Sequence, residues 1–232
     1  MNANQYELLT FDCYGTLIDW ETGITEALTN VCRAHGIHAD ANELLGHFGA
    51  VEHTVQDGPF RTYREVLHET MRGVGSRLGF EATDEECRGF AASVGDWPPF
   101  PDTVAALERL AARYKLAIVS NVDDDLFAGS AKRLKAPFDW VVTAEQVGSY
   151  KPAPGHFNEI VQRSGLPINK ILHVAQSLFH DVAPASAMGF TTLWVNRRAG
   201  KGGHGATPPA DARPDAEVPD MKSAANLLVN HE

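Results

Sequence analysis

The sequence predicts an α/β protein, a doubly wound parallel sheet with an all-helical subdomain inserted after its first strand. Three observations carry this reading. Short, near-continuous apolar runs recur along the chain, amphipathic helical stretches lie between them, and from about residue 20 to 98 the alternation stops and only helical patterns follow one another. Unbroken apolarity is the mark of parallel strands covered on both faces. Strands alternating with helices then place those helices on either side of one sheet.

Taken in chain order, YELLTFD at 6–12 is the first strand, ending on the carboxylate of Asp12 and followed by the turn-forming Gly15. ITEALTNVCRAHG at 24–36, ELLGHFGAVEHTV at 43–55 and TYREVLHETMRGVGSRLG at 62–79 are successive amphipathic helices with no clear strand between them. The chain returns through GDWPPFPDT at 95–103, where prolines and an Asp before the next helix mark a stiff hinge. TVAALERLAARY at 103–114 is a helix leading into a strand, LAIVSN at 116–121. WVVTA at 140–144, ILHVA at 171–175 and TTLWVN at 191–196 are further strands, with HFNEIVQRSG at 156–165 a helix among them. The segment 198–215, RAGKGGHGATPPADARPD, reads as a surface loop, ordered only if something packs on it. The expected division is a core of residues 1–19 and 99–232 with a helical subdomain of residues 20–98.

At 44% hydrophobic and 22% charged residues, the 232-residue chain has the composition of a globular protein with a large core, which excludes disordered and fibrous classes. Its longest apolar runs fall far short of the roughly 18 residues of a membrane span. The N-terminus lacks a basic region followed by an apolar stretch, so a cytoplasmic location is expected. Cys13, Cys32 and Cys87, odd in number and without CxxC spacing, fit reduced thiols better than a disulfide framework or zinc site. Thirty acidic against twenty basic residues, a formal charge of −10, oppose binding to nucleic acid or acidic lipid. A small anion is still admissible, because a local field overrules the global one.

In an open α/β sheet, ligands bind beyond the carboxyl ends of the strands, where loops and helix N-termini converge. Asp12 ends the first strand, Ser120 and Asn121 end the second, Lys151 follows the third, and Gln176 to Asp181 follow the fourth. Each alone has a plain reading: an Asp at a strand end caps a helix, and Ser-Asn makes a turn. Together, the order DxYGT, SN, KP and a late Asp resembles the haloacid dehalogenase superfamily over essentially the whole chain.

That resemblance implies a Rossmann-like core with a helical cap, an aspartate nucleophile at Asp12, Thr16 with Ser120 or Asn121 as orienting groups, and Lys151 paired with the nucleophile. The electrostatics agree, since a carboxylate in a crevice tends to take up a proton and a nearby ammonium opposes this. Most members are magnesium-dependent phosphatases resembling DxDxT in the first motif and GDSxxND in the fourth. Here Tyr14 stands at the second Asp of the first motif, and AQSLFHD puts Gln176 at the first Asp and His180 at the Asn of the fourth. Magnesium prefers carboxylate oxygen, so the lost ligand weakens the site. No metal or cofactor is expected.

The stretch FDCYGTLID is instead similar to the L-2-haloacid dehalogenases. In that chemistry Asp12 displaces halide from the α-carbon and forms an ester. Water then attacks the Asp12 carbonyl, oriented or deprotonated by Asp181, with Lys151, Ser177 and His180 completing the network. The substrate carboxylate is expected on backbone N–H groups after Asp12, at Cys13 and Tyr14, and after Ser120. Such enzymes carry a cap arginine facing the halide; matching EHT at 52–54 places His47 there, while Arg61 or Arg64 is an equal alternative. Trp97, Trp20, Phe60 and Tyr14 are candidate pocket walls, although aromatics near a hinge also read as core. His173, inside a strand run, reads as structural.

The expected substrate is a short 2-haloacid, and a dimer through the cap helices is possible. The alternatives are an Asp12-dependent hydrolase of another small 2-substituted acid, by ring opening, or of a phosphate ester. A non-catalytic scaffold on the same fold is a third, opposed by Asp12, Lys151 and Asp181 standing together.

Overall fold

The computed structural model describes residues 2–200 and 206–229. Six parallel strands form one sheet in the order β3-β2-β1-β4-β5-β6, with β1 Leu8–Phe11, β2 Lys115–Ser120, β3 Trp140–Thr143, β4 Ile171–Ala175, β5 Thr191–Val195 and β6 Ala216–Val218. The first five lie within the expected apolar runs or overlap them closely. The sixth was not anticipated, because three residues after a Pro-rich stretch carry no readable periodicity. Pairing fixes it instead: Leu193 to Val195 register with Ala216 to Val218, and the Asp215 carboxylate accepts a 2.8 Å hydrogen bond from the Thr192 amide.

The period-2 alternation of a strand sends successive side chains to opposite faces. In β1, Leu9 and Phe11 enter one hydrophobic cluster with Leu107 and Leu110 of helix α5 (Thr103–Ala111) and Leu228 of the C-terminal helix, Met221–Val229. Leu8 enters a second cluster with Phe157 and Ile160 of the helix Gly155–Ser164. Both faces are therefore covered, and the sheet is doubly wound as the sequence predicts.

Between β1 and α5 the α-helices are α1 Trp20–Ala34, α2 Ala41–Gln56, α3 Tyr63–Leu78 and α4 Asp84–Ala92, with no named strand among the described residues. The fourth was not anticipated, although its capping box, Thr83 with Glu86, is a start signal visible in the sequence. Helix α6, Asp124–Leu134, was likewise missed. It approaches the segment Ser93–Asp96 so closely that a Cβ on Gly129 would stand 2.6 Å from the Gly95 Cα, which leaves room for glycine alone at that crossing. No described helix is long and apolar enough to cross a membrane.

The two segments joining the inserted helices to the sheet run side by side. The Asp19 amide donates to the Pro98 carbonyl at 2.8 Å, and the Phe100 amide donates to the Leu17 carbonyl at 3.0 Å. Asp102, the acid before α5, does not cap that helix with its side chain. It pairs with Arg197 at 2.8 Å and accepts from the Met221 amide at 2.6 Å, so it ties the return segment to the C-terminal helix.

Part of the expected surface loop, residues 201–205, lies outside the described residues. The portion from residue 206 is packed: Ala206 is buried against Gly49 of α2, where a Cβ would meet the Ala206 carbonyl at 3.2 Å.

Candidate active site

Because β1 is central, the loops after β1, β2, β3 and β4 meet at one end of the sheet, and the side chains singled out from the sequence converge there. Asp12 follows β1, with its amide held by the Val174 carbonyl at 3.1 Å. The next residues turn tightly, Gly15 adopting φ 90° and donating to Ile18, which lets the chain double back under Asp12. The turn aims the Thr16 hydroxyl at Asp12 Oδ2, 2.7 Å away; the same hydroxyl accepts from the Gln176 amide at 2.9 Å.

Lys151 is 2% exposed, and its ammonium donates to Asp12 Oδ1 at 3.0 Å, Asp181 Oδ1 at 2.6 Å and the Val119 carbonyl at 2.8 Å. Three donors meet three acceptors, which uses the hydrogen-bonding capacity of an ammonium. Asn121 fixes the backbone beneath it, accepting from the Lys151 amide at 2.7 Å and donating to its carbonyl at 3.1 Å. Asn121 thus positions the lysine.

Asp181 sits on a π-helical turn, Leu178–Val182, whose N-terminus is capped by Ser177 accepting from the His180 amide at 2.9 Å. Its Oδ1 also bonds His173 Nε2 at 3.0 Å, and His173 Nδ1 meets the Thr10 hydroxyl at 2.9 Å. Read from this network, Nε2 carries the proton. His173 is therefore structural in a specific sense, since it holds Asp181 from below. At the cavity, the buried Ser120 Oγ and Asp181 Oδ2 have no hydrogen-bond partner.

Burial pushes the Asp12 carboxyl up from its ordinary range, the Lys151 ammonium opposes this, and the neighbouring Asp181 charge adds to it. Burial acts on Asp181 in the same direction, but Lys151 and His173 outweigh it and hold that acid well below the usual range. The lysine is raised, because two carboxylates outweigh its own desolvation. Burial lowers His180 to about 4, leaving it neutral near pH 7.

These groups floor a cavity of about 50 Å³, small against the several hundred Å³ of pockets for drug-sized ligands. Tyr14, Ser120, Asn121, Gln176, Ser177 and His180 line it from the sheet side. Glu52 and Gln56 of α2 and Tyr63 of α3 form the opposite wall, with Trp20 of α1, and Ala206 and Thr207 of the late loop at its edge. Sequence reasoning missed Glu52, Gln56, Tyr63 and the late loop. The spacing of Glu52 and Gln56 by one helical turn was the available signal.

Several expected residues lie elsewhere. His47 does not line the cavity; it stands on α2 with its nearest acid, Glu43, 3.9 Å away. Five residues from Glu52 on the same helix is about 140° around the axis, so the two do not share one face. Arg61 and Arg64 border a separate groove, and Arg64 pairs with Asp125 at 2.5 Å. Trp97 donates to Ser93 at 3.1 Å and packs edge-on against Tyr14, 5.8 Å between centroids, so it supports the wall from behind. Cys13 is fully buried, its thiol pushed up by burial and by Asp12; its carbonyl accepts from Leu17 and Ile18. Phe60 borders an outer recess rather than this cavity.

The donor set does not suit a hard divalent cation. An ammonium sits between the two carboxylates, Gln176 brings an amide, and Tyr14 is bound to Ser130 at 2.9 Å. Among the described residues no group of three or more His, Cys, Asp and Glu is arranged to hold a metal ion.

The profile of the haloacid dehalogenase-like hydrolase family matches residues 6–189. An (S)-2-haloacid dehalogenase of Pseudomonas fluorescens is 28% identical over 229 residues, 95% of each chain. Among solved structures, a defluorinating L-2-haloacid dehalogenase superposes with a TM-score of 0.82 at 24% identity, covering 96% of this chain and 95% of that one. The Xanthobacter autotrophicus L-2-haloacid dehalogenase with chloropropionic acid covalently bound gives 0.80 at 20% identity, covering 98% of this chain and 100% of that one. At such identities the structural likeness speaks to the fold.

Proposed function

Since the chain belongs to the haloacid dehalogenase-like hydrolases, we propose that it hydrolyses short 2-haloacids without a metal ion, through an ester on Asp12. One observation carries this reading: a carboxylate floors a small cavity, paired to a saturated lysine, with one unpartnered hydroxyl and one unpartnered carboxylate oxygen beside it.

In this account Asp12 attacks the α-carbon, the C–X bond breaks and the pair leaves with the halide, which needs no proton. Ser120 Oγ is free to donate to the substrate carboxylate. Asp181 Oδ2 is free to accept a proton from the water that attacks the Asp12 carbonyl. Asp181 suits this role by position, since it lines the cavity while Lys151 and His173 hold its other oxygen and leave Oδ2 without a partner. Addition of water to the ester then releases the 2-hydroxy acid and restores Asp12. The cavity size favours two- and three-carbon acids.

Halide release from 2-chloro- and 2-bromopropionate is expected to persist undiminished in EDTA, with no phosphate released from aryl phosphates. A requirement for magnesium would replace this reading with the phosphatase one.

A further inference from the structure

We propose that Glu52, acting in its protonated form from the wall facing Asp12, is the leaving-group acid of this site, and that it extends the reaction to 2-substituted acids with basic leaving groups. This deepens the Asp12-ester reading and rests on it. Displacement at carbon is in line, so the leaving group departs on the side opposite the nucleophile. Asp12 belongs to the sheet, and the wall facing it is built by Glu52, Gln56 and Tyr63 of the inserted helices.

That wall has an unusual composition for receiving an anion. Lys151 is the only cation among the described residues lining the cavity, and its three N–H groups are spent on Asp12, Asp181 and Val119. An ionised Glu52 would repel a departing anion, whereas a protonated one offers it an O–H. Gln56 Nε2 donates to Glu52 Oε1 at 2.5 Å, which orients the carboxyl, and the neighbouring Tyr63 favours its ionised form too weakly to offset burial. Around it stand Tyr63 and Tyr150, both with phenols pushed far up and hence neutral; Tyr14, likewise neutral; His180, neutral; and the Asp12–Lys151–Asp181 cluster with one net negative charge. None of these cations or neutrals offers Glu52 a counter-ion. Burial raises its carboxyl to about 7.

For bromide or chloride, weak bases, the proton matters little. For fluoride, or for the oxygen of a 2,3-epoxy acid, it matters much. In the epoxide case an Asp12 oxygen lone pair forms the bond to the α-carbon, the Cα–O bond breaks with its pair on oxygen, and the Glu52 proton goes to that oxygen. Glu52 is left ionised and regains a proton from the water consumed in ester hydrolysis. For fluoride, the same O–H stabilises or protonates the departing ion.

The test compares wild type with Glu52→Gln on 2-bromopropionate, 2-fluoropropionate and a 2,3-epoxy acid. Gln keeps the shape and a weak donor but cannot give up a proton. Turnover of the fluoro and epoxy acids is expected to fall more than a hundredfold and that of the bromo acid less than tenfold. In wild type the fluoro or epoxy rate should fall as pH rises through about 7, where Glu52 ionises, and this limb should vanish in the variant. Activity on only one of the two basic leaving groups identifies which of them the site serves. Equal losses on all substrates, or an unchanged pH profile, would overturn the assignment alone. A wild type that releases no halide and opens no epoxide would overturn the Asp12-ester reading and the assignment with it, whereas bromide turnover without either basic leaving group would overturn the assignment only.

Discussion

Asp12→Asn is expected to lower halide release by at least about a thousandfold, the scale of loss when a covalent nucleophile is removed, with the fold retained. The amide matches the carboxylate in shape, and its oxygen still accepts from either Thr16 or Lys151, whichever side it faces. What it loses is the anionic lone pair that forms the ester. Folding should survive because Lys151 keeps Asp181 and the Val119 carbonyl as partners. Turnover of 2-bromopropionate above a tenth of wild type, in a variant with a native melting profile, would contradict a nucleophilic Asp12.

Lys151→Met is expected to cost a similar factor in rate and, unlike Asp12→Asn, to destabilise the protein by roughly 3–5 kcal/mol, the usual cost of stranding one side of a buried ion pair. Methionine approximates the length of the lysine stem but leaves two buried carboxylates facing each other. Burial already pushes Asp12 up, and without the ammonium only the Thr16 hydroxyl opposes it. A protonated Asp12 is no nucleophile. The sign of the stability change with pH follows. An acid whose folded pKa lies above its unfolded value loses stability as pH rises through that interval. The variant should therefore melt higher at about pH 5 than at about pH 8, upward from the unfolded carboxyl value near 3.9. Thermal melts across that range check this; a variant as stable as wild type at both would show that the lysine carries no electrostatic load.

Much of this site was legible because chemistry concentrated at strand ends. Asp12, Ser120, Lys151 and Asp181 each terminate or follow an apolar run, so the sheet alone brings them together whatever the helices do. Their partners were harder to see. His173 lies within a strand run and its ring is fully buried, and only the register that sets it beside Thr10 reveals that it holds Asp181. The helical wall was misread for a different reason. Assigning His47 to the cavity required knowing the rotation of α2, and pattern matching does not supply a phase. The helix turns Glu52 and Gln56 inward and leaves His47 beside Glu43. The late loop could not be read at all, because Pro- and Gly-rich segments have no periodicity; contact with α2 is what brings Ala206 and Thr207 to the cavity edge.

The central claim is that Asp12 itself becomes esterified and that water then attacks its carbonyl. A single turnover of 2-bromopropionate by excess enzyme in oxygen-18 water, with mass analysis of the Asp12 peptide and of the product, tests it most directly. The account predicts the label in the Asp12 carboxylate and an unlabelled hydroxyl in the first product, since that oxygen comes from the enzyme. Label in the product hydroxyl with an unlabelled Asp12 peptide would mean that water attacks the substrate directly, and the covalent account would be wrong.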